Sequence, residues 1–385
     1  MTGILHLSGN GHMQQNSMLV FERYYSGCNF MLAIPPKNHV TERISLPENL
    51  FRWFDFSKES TYSEVLKICK DRRVDKIVLH SVFSANIKLA RYLKSQFPCK
   101  VYWLFWGYEL YNALGEDFGV SYVDEKFNIL KRRTYFYPTK LKSYLRFLLY
   151  GTTFSKNLRL AGEVADYFCF WNKYDYELYT QYFGDKVKYK MFGYVCSERK
   201  DNNVLDVFKF PIKKKVVLIN HQASVTGNHF TLMKKLKEID TKGEFDVYMP
   251  LSYGSANMRK VCLKMGERMF GNKFKPILDY LPREEYFDII NKSQVALFGQ
   301  KRQEATGNIG RLLIVGTKVF MREENPMFAY YKDKGYYIFS FEKDLNTLED
   351  LNPLSEEQMI HNRNIWSNTK IYYDDFMPNF FNDNR

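Results

Sequence analysis

The sequence has no run of about 18 apolar residues, so it predicts no transmembrane helix. Its first residues lack the basic stretch followed by an apolar stretch that marks a secretory signal, and we expect no such signal. The cysteines are few and scattered, which argues against a zinc site and favours free thiols in a reducing cytoplasm. They are Cys28, Cys69, Cys99, Cys169, Cys196 and Cys262.

The composition bounds the size and charge of the protein. Its 385 residues are enough for two or three domains, and a hydrophobic fraction of 45% is enough for a full core. Basic residues exceed acidic ones, which gives a formal net charge of +13. Such an excess favours an anionic partner: nucleic acid, an acidic membrane surface or a phosphorylated substrate.

Residues 295–326 carry the clearest local pattern, a strand, a polar loop, a helix and a second strand. This is one βαβ unit of a parallel sheet, in which ligands lie beyond the carboxyl ends of the strands. Thr306, Gly307 and Asn308 suit a helix start, where free backbone N–H groups and the helix dipole favour an anion. Lys301 and Arg302 add positive charge beside it. The pattern therefore predicts a bound phosphate, although many polar loops of this kind bind nothing.

The first half of the chain alternates strands and helices. Polar or glycine-bearing segments follow three of its predicted strands and contain His12, His80 and Glu109. The first loop, residues 8–12, has two glycines but no GxGxxG pattern, so it does not predict a dinucleotide site. In an open parallel sheet the segments that follow these three strands would line one crevice.

The second half repeats the alternation after a polar, aperiodic linker at residues 196–211. Its first loop contains Ser224 and Thr226, and Asn228 could cap the helix that follows. We therefore expect an α/β fold with two Rossmann-like domains in series. The expected ranges are 1–205 for the first domain, 206–354 for the second domain, and 355–385 for a helix and tail that cross back to the first.

Residues 126–160 interleave lysine and arginine with large apolar side chains. A surface segment that rests on anionic lipid would have this composition. A core-packing helix with a solvated basic face is nearly as good an explanation. Nucleic-acid binding ranks last, because no known nucleic-acid module is present.

Two Rossmann-like halves are the architecture of the GT-B glycosyltransferases, and several short motifs narrow the resemblance. These motifs are Trp106-Gly107-Tyr108-Glu109-Leu110-Tyr111, residues 217–220 through Asn228-His229, Pro250 with Tyr253, Arg302-Gln303, and Glu324-Asn325-Pro326. With these pieces in family order, the chain resembles the TDP-4-acetamido-4,6-dideoxygalactose:lipid II transferases of enterobacterial common antigen synthesis, glycosyltransferase family 56.

The resemblance implies a peripheral enzyme on the cytoplasmic face of the bacterial inner membrane. It would move a deoxyamino sugar from a dTDP-sugar to a polyprenyl-diphosphate-linked saccharide. The first domain would bind the acceptor and the second the nucleotide sugar, the two would face each other across a cleft, and such enzymes generally work without a metal. No Asp-x-Asp motif is present. We expect no cofactor and no nucleic-acid partner.

Glycosyl transfer needs a base for the acceptor hydroxyl and a positive environment for the departing diphosphate. The resemblance supports an acid at Glu109 as the base, with His12 and His80 next; a surface carboxylate and structural histidines are the plain alternatives. The candidates for nucleotide, diphosphate and sugar hydroxyls are Ser224, Thr226, Asn228, Tyr253, Lys301, Arg302, Gln303, Thr306, Gly307, Asn308, Glu323, Glu324 and Asn325. Glu324 could equally be a turn residue.

Two other readings remain open. A GT-B transferase of O-antigen or capsule assembly would use a UDP- or GDP-sugar on the same fold. A nucleotide-sugar- or membrane-binding protein would bind without turnover.

Overall fold

The computed structural model describes residues 2–36, 41–124, 139–194, 196 and 209–382, with backbone only at 139 and 140. The chain divides into two compact units and passes between them repeatedly. The first unit comprises Met1–Val120, Pro138–Asn202 and Ile371–Arg385, and the second comprises Ser121–Tyr137 and Asn203–Lys370. The sequence places the return to the first domain at residue 355, whereas the contacts place it at Ile371.

In the described part of the first unit, seven parallel strands form a sheet in the order β3-β2-β1-β4-β5-β6-β7. The strands are β1 Gly3–Ser8, β2 Asn29–Ala33, β3 Phe51–Trp53, β4 Val74–His80, β5 Lys100–Leu104, β6 Tyr167–Cys169 and β7 Lys188–Lys190. Strands β1 and β2 are buried along their whole length, as expected for a parallel sheet covered on both faces.

Helices connect these strands. They are α1 His12–Tyr24, α2 Tyr62–Asp71, α3 Ser84–Gln96, α4 Tyr108–Glu116, α5 Thr139–Tyr150, α6 Phe154–Val164 and α7 Lys173–Phe183. Strand β3 was not predicted, because it is a short edge strand with an exposed arginine, Arg52, at its centre and so lacks an apolar run.

The second unit has a similar sheet, with six parallel strands described in the order β10-β9-β8-β11-β12-β13. They are β8 Lys214–Ile219, β9 Asp246–Pro250, β10 Phe274–Ile277, β11 Ser293–Phe298, β12 Lys318–Met321 and β13 Phe339–Ser340. The helices are α8 His229–Ile239, α9 Ala256–Phe270, α10 Arg283–Ile290, α11 Thr306–Ile314, α12 Pro326–Asp333 and α13 Glu356–Thr369.

Both sheets share the strand order 3-2-1-4-5-6 of the Rossmann fold, so the predicted α/β class with two Rossmann-like domains is confirmed. The order reverses between β1 and β4 in the first unit, and between β8 and β11 in the second. Ligands of open α/β sheets bind outside the carboxyl ends of the strands at such a point. Each unit therefore has one edge at which a site is expected.

The end of the chain completes the core of the first unit. Helix α14, Tyr373–Phe376, is followed by Phe380, which is buried against Phe21 and Phe192. The hydroxyl of Tyr373 donates to the backbone oxygen of Tyr194 at 2.9 Å.

Candidate functional site

Two asparagines close the loops at the strand-order reversal of the second unit. Asn220 accepts the N–H of Gly299 at 3.0 Å and donates to the oxygen of Gly227 at 2.8 Å. Asn228 donates to the oxygen of Gly299 at 2.7 Å. A Cβ on Gly299 would lie 2.2 Å from the Gly227 oxygen, so this close approach of two backbones requires glycine.

Three non-glycine residues in these loops adopt the left-handed backbone region. Asn220, Asn228 and Ala305 have φ values of 57°, 49° and 66°. Such conformations cost free energy and persist where the surrounding contacts determine them, often at functional sites. Their clustering at one sheet edge marks this edge as the candidate site of the second unit.

Helix α11 begins at this edge with Thr306, the first of the three residues predicted for the helix start. Ala305 is its N-cap and makes no side-chain cap within the described structure. A side chain at Gly307 would meet open space. The hydroxyl of Thr306 accepts from Gln303 at 2.7 Å, and the side chain of Asn308 accepts from Tyr286 at 3.0 Å. These contacts place Gln303 and Tyr286 beside the helix start, where the sequence predicts an anion site.

The two predicted cations are engaged in ion pairs. Lys301 lies 3.1 Å from Asp124 and 3.1 Å from Glu324. Arg302 pairs with Glu304 at 2.5 Å. Neither Asp124 nor Glu304 was predicted as a member of this site. The positive charge foreseen for a phosphate is thus already balanced by carboxylates of the protein.

Asp124 comes from the first half of the sequence but belongs to the second unit. Val123 enters the core of that unit, and the N–H of Asp124 donates to Asn228 at 3.0 Å. Arg322 donates to both Asp124 oxygens, at 3.0 and 3.2 Å. Burial acts to raise the pKa of Asp124, but hydrogen bonds from Arg322 and Thr231 outweigh it, and the pKa lies below its ordinary value.

Several other predicted residues hold the loops of this edge together. Asn325 is buried, caps α12 by accepting from Met327, and donates to the backbone oxygens of Gln300 and Arg302. Glu323 pairs with Lys343 at 2.8 Å.

Tyr253 and the loop after β8 complete the predicted set. The Tyr253 side chain is 48% exposed, and its ring lies edge-on to His221. Thr226 donates to Glu304 at 3.0 Å and lies 3.3 Å from the Ser224 hydroxyl. Thr226 therefore joins the loops after β8 and β11 through a carboxylate.

Two buried polar groups were not foreseen. Gln300 is 1% exposed, and neither of its amide atoms has a hydrogen-bond partner in the described part of the chain. The same holds for Nδ1 of His221. Unsatisfied buried polar groups are costly and call for an explanation such as a ligand or a water molecule. The sequence points to these two residues only in that each follows shortly after an apolar run that forms a strand.

The carboxyl edge of the first unit brings the three candidate bases into different environments. His12 begins α1 and is exposed, whereas His80 and Glu109 are each 1% exposed. Glu109 accepts from the indole N–H of Trp103 at 3.1 Å and the backbone N–H of Trp106 at 3.2 Å. Its Oε2 has no partner among the described residues. Burial raises the pKa of Glu109 to about 7.

A cavity lies at the same edge. It has a volume of about 460 Å³ and is lined by Gly9, Asn10, Ile34, Pro35, Pro36, Arg43 and Phe83. Asn10 shapes it by accepting the N–H of Arg43 at 2.7 Å and donating to the oxygen of Thr41 at 2.9 Å.

The basic segment predicted at 126–160 is described only in part, since residues 126–138 lie outside the described structure. Helix α5 within it exposes Tyr144, Leu148, Leu149 and Tyr150 by 58–73%. Among the described residues, no helix is both long and apolar enough to cross a membrane.

Neither the known family models nor the curated proteins include a match to this sequence. Solved structures do match over nearly the whole chain. Sucrose-phosphate synthase from Thermosynechococcus elongatus has a TM-score of 0.60 at 9% identity and covers 97% of this chain and 96% of its own. A glycosyltransferase from Rickettsia africae has a TM-score of 0.59 at 11% identity, covering 97% and 95%.

The Anabaena protein HepE, in complex with UDP and glucose, has a TM-score of 0.56 at 11% identity and covers 99% of this chain and 98% of its own. At such low identity these likenesses show the fold alone. The fold is GT-B, built from two Rossmann-like domains.

Proposed function

We propose that this protein is a glycosyltransferase that uses a nucleotide-sugar donor. The observation that carries the proposal is the start of α11, which lies beside polar loops at the strand-order reversal of the second unit. Free N–H groups at a helix start suit the diphosphate of a nucleotide sugar. The similar GT-B structures, one of them holding UDP and glucose, support the same class of donor.

In this reaction an acceptor hydroxyl oxygen forms a bond to the anomeric carbon of the donor sugar. The bond from that carbon to the diphosphate breaks, and the hydroxyl proton passes to a base. The N–H groups of Thr306, Gly307 and Asn308 would stabilise the departing nucleoside diphosphate, with Lys301 and Arg302 beside them.

The candidates for the base, Glu109, His12 and His80, lie in the first unit. Glu109 has a pKa of about 7, close to the value that suits a general base at neutral pH. Its burial means that an acceptor hydroxyl reaches it only if neighbouring groups move. His12 is exposed at the start of α1 and is the more accessible alternative. His80 is buried and hydrogen-bonded inside the sheet.

The finer assignment rests on the resemblance to family 56. We propose a dTDP-linked 4-acetamido-4,6-dideoxyhexose as donor and a polyprenyl-diphosphate-linked saccharide as acceptor, with no metal or cofactor. The net charge of +13 and the exposed apolar side chains of α5 support peripheral attachment to an anionic membrane. We propose that this membrane is the bacterial inner membrane and that the protein binds its cytoplasmic face.

A calorimetric and thermal-shift comparison of dTDP, UDP, GDP and a short oligonucleotide tests the donor. Selective dTDP binding, weakened by Arg302→Ala, is expected. Selective UDP or GDP binding would keep the enzyme class and discard the dTDP-sugar. Binding of the oligonucleotide alone, lost with salt, would contradict the enzyme proposal.

Turnover of the bound donor separates an enzyme from a binding protein. Glu109→Gln is expected to lower turnover at least about 100-fold if Glu109 is the base. An unchanged rate would remove Glu109 from that role, and His12→Gln would then be the variant that loses activity.

A further inference from the structure

The carboxylate of Glu304 collects hydrogen-bond donors from both loops at the strand-order reversal of the second unit. It accepts from Gln222 at 3.2 Å, from Thr226 at 3.0 Å and from Nε of Arg302 at 2.5 Å. Gln222 and Thr226 follow β8, whereas Arg302 follows β11. The Glu304 side chain is only 11% exposed, so it lies within the loops.

Such a set of donors does not distinguish a carboxylate from a phosphate. Both are anions with several acceptor oxygens, and a guanidinium with neutral donors binds either one. Glu304 lies two residues before the start of α11, where the helix dipole also favours negative charge. The carboxylate therefore occupies a position with the chemistry of an oxyanion site.

The buried side chain of Gln300 is a second, independent observation that points to a ligand at these loops. Gln300 lies on the same connection between β11 and α11, and neither of its amide atoms finds a partner among the described residues. A polar ligand would satisfy such a group, whereas the protein alone leaves it at a cost.

The cations at this edge are already paired with carboxylates, so an incoming anion must displace one of those carboxylates. Three cations and four carboxylates of the described structure lie in ion pairs here, so no positive excess is available. The cations are Lys301, Arg302 and Arg322, and the carboxylates are Asp124, Glu304, Glu324 and Glu342. Lys301 and Arg322 share Asp124 and Glu324, whereas Arg302 pairs with Glu304, whose other contacts are neutral donors.

We propose that Glu304 is a placeholder for the donor diphosphate, which replaces its carboxylate on Gln222, Thr226 and Arg302. This inference rests on the proposed function and deepens it, because it assigns the diphosphate subsite and the group that leaves it. Displacement of Glu304 frees Arg302 when the ligand arrives. Arg302 is paired with Glu304, so an anion binds only if it competes successfully with this internal carboxylate.

The test compares the affinity of inorganic pyrophosphate for Glu304→Gln, Glu244→Gln and the unaltered protein by calorimetry. Glu244 is the matched control, because it is a carboxylate paired with Lys215 near the amino end of β8 and holds none of the three donors. Both substitutions change the net charge equally. Glu304→Gln is expected to bind pyrophosphate at least about tenfold more tightly than the unaltered protein, since one charged hydrogen bond no longer competes. Glu244→Gln is expected to show only a small gain.

A second substitution guards against a folding defect of the first. Glu304→Ala removes the carboxylate without adding an amide and must show the same gain, and Arg302→Ala added to either variant must abolish it. Equal or weaker pyrophosphate binding by folded Glu304→Gln or Glu304→Ala overturns the placeholder. Nucleotide selectivity is measured separately: a gain for pyrophosphate without binding of any nucleoside diphosphate would keep the placeholder and reject the proposed donor.

Discussion

Nδ1 of His6 lies 3.0 Å from Nε2 of His80, on adjacent central strands of the first sheet. The other ring nitrogen of His6 lies 3.1 Å from the side-chain oxygen of Asn29. The amide nitrogen of Asn29 already donates to Glu22 and to the oxygen of Tyr25, so its oxygen must accept from His6. His6 is buried and its pKa falls to about 4, so the ring is neutral at pH 7 and its Nδ1 accepts from His80.

This direction of hydrogen bonds predicts the tautomers of both rings. Long-range ¹H–¹⁵N spectra of histidine-labelled protein at pH 7 should show His6 and His80 protonated on Nε2 and bare on Nδ1. Asn29→Leu removes the acceptor of His6 and is expected to change the spectrum of both rings. A proton on Nδ1 of either ring in the unaltered protein would contradict the assignment.

Glu109 should make stability depend on pH near neutrality. Its folded pKa is raised to about 7 by burial, so its contribution is full below its ordinary pKa and is lost as the pH rises through 7. The loss amounts to about 3 kcal/mol between pH 4.5 and 8. Urea unfolding at several pH values should therefore show Glu109→Gln gaining stability relative to the unaltered protein as pH rises. A difference that stays constant from pH 5 to 8 would exclude the raised pKa.

Asp124 should contribute strongly to the stability of the second unit by holding its loops together. Its side chain and its partners Lys301 and Arg322 are at most 17% exposed, and removing one member of a buried ion pair typically costs about 3 kcal/mol or more. Asp124→Asn is expected to lower the melting temperature markedly in calorimetry. Asp246→Asn is the control, because its pair with Lys273 is 37–40% exposed and contributes less than about 1 kcal/mol. Similar losses for both variants would contradict the prediction.

Two glycines of the same site should respond in opposite ways to alanine. Gly299→Ala places a Cβ 2.2 Å from the Gly227 oxygen, so we expect strong destabilisation and loss of nucleotide binding. Gly307→Ala meets open space inside α11 and should stabilise the helix by up to about 1 kcal/mol while it keeps the backbone N–H. Thermal melting with and without nucleotide measures both effects. A tolerated Gly299→Ala would show that the two loops do not need their close contact.

Helix α5 should contribute to binding of anionic lipid. Leu149 is 73% exposed on it, and Leu149→Glu both removes apolar surface and adds repulsion from negative headgroups. Co-sedimentation with vesicles rich in phosphatidylglycerol is expected to fall for this variant. Leu19→Glu on α1, where the leucine is 43% exposed, is the control and should bind as the unaltered protein does. Equal retention of both variants would place the membrane contact elsewhere.

The residue pattern predicted much of the architecture, because strands and helices produce a local periodicity of apolar residues. The alternation around residues 295–326 correctly predicted β11, α11 and β12, and the glycine and threonine at the helix start were found where expected. The candidate site residues were sought at the carboxyl ends of the strands, because open parallel sheets bind ligands there. Strand β3 and the ion pairs of Asp124 have no such local pattern in the sequence.

The sequence by itself determined the α/β class, the two series of strands and the loops that carry polar residues, since these depend on short-range periodicity and turn chemistry. Only the tertiary structure decided that Glu109 and His80 are buried, that Lys301 is neutralised by Asp124 and that Glu304 fills the donors around Arg302. Burial and ion pairing depend on which distant residues meet, and the free energy of a charge depends on those neighbours far more than on its place in the chain.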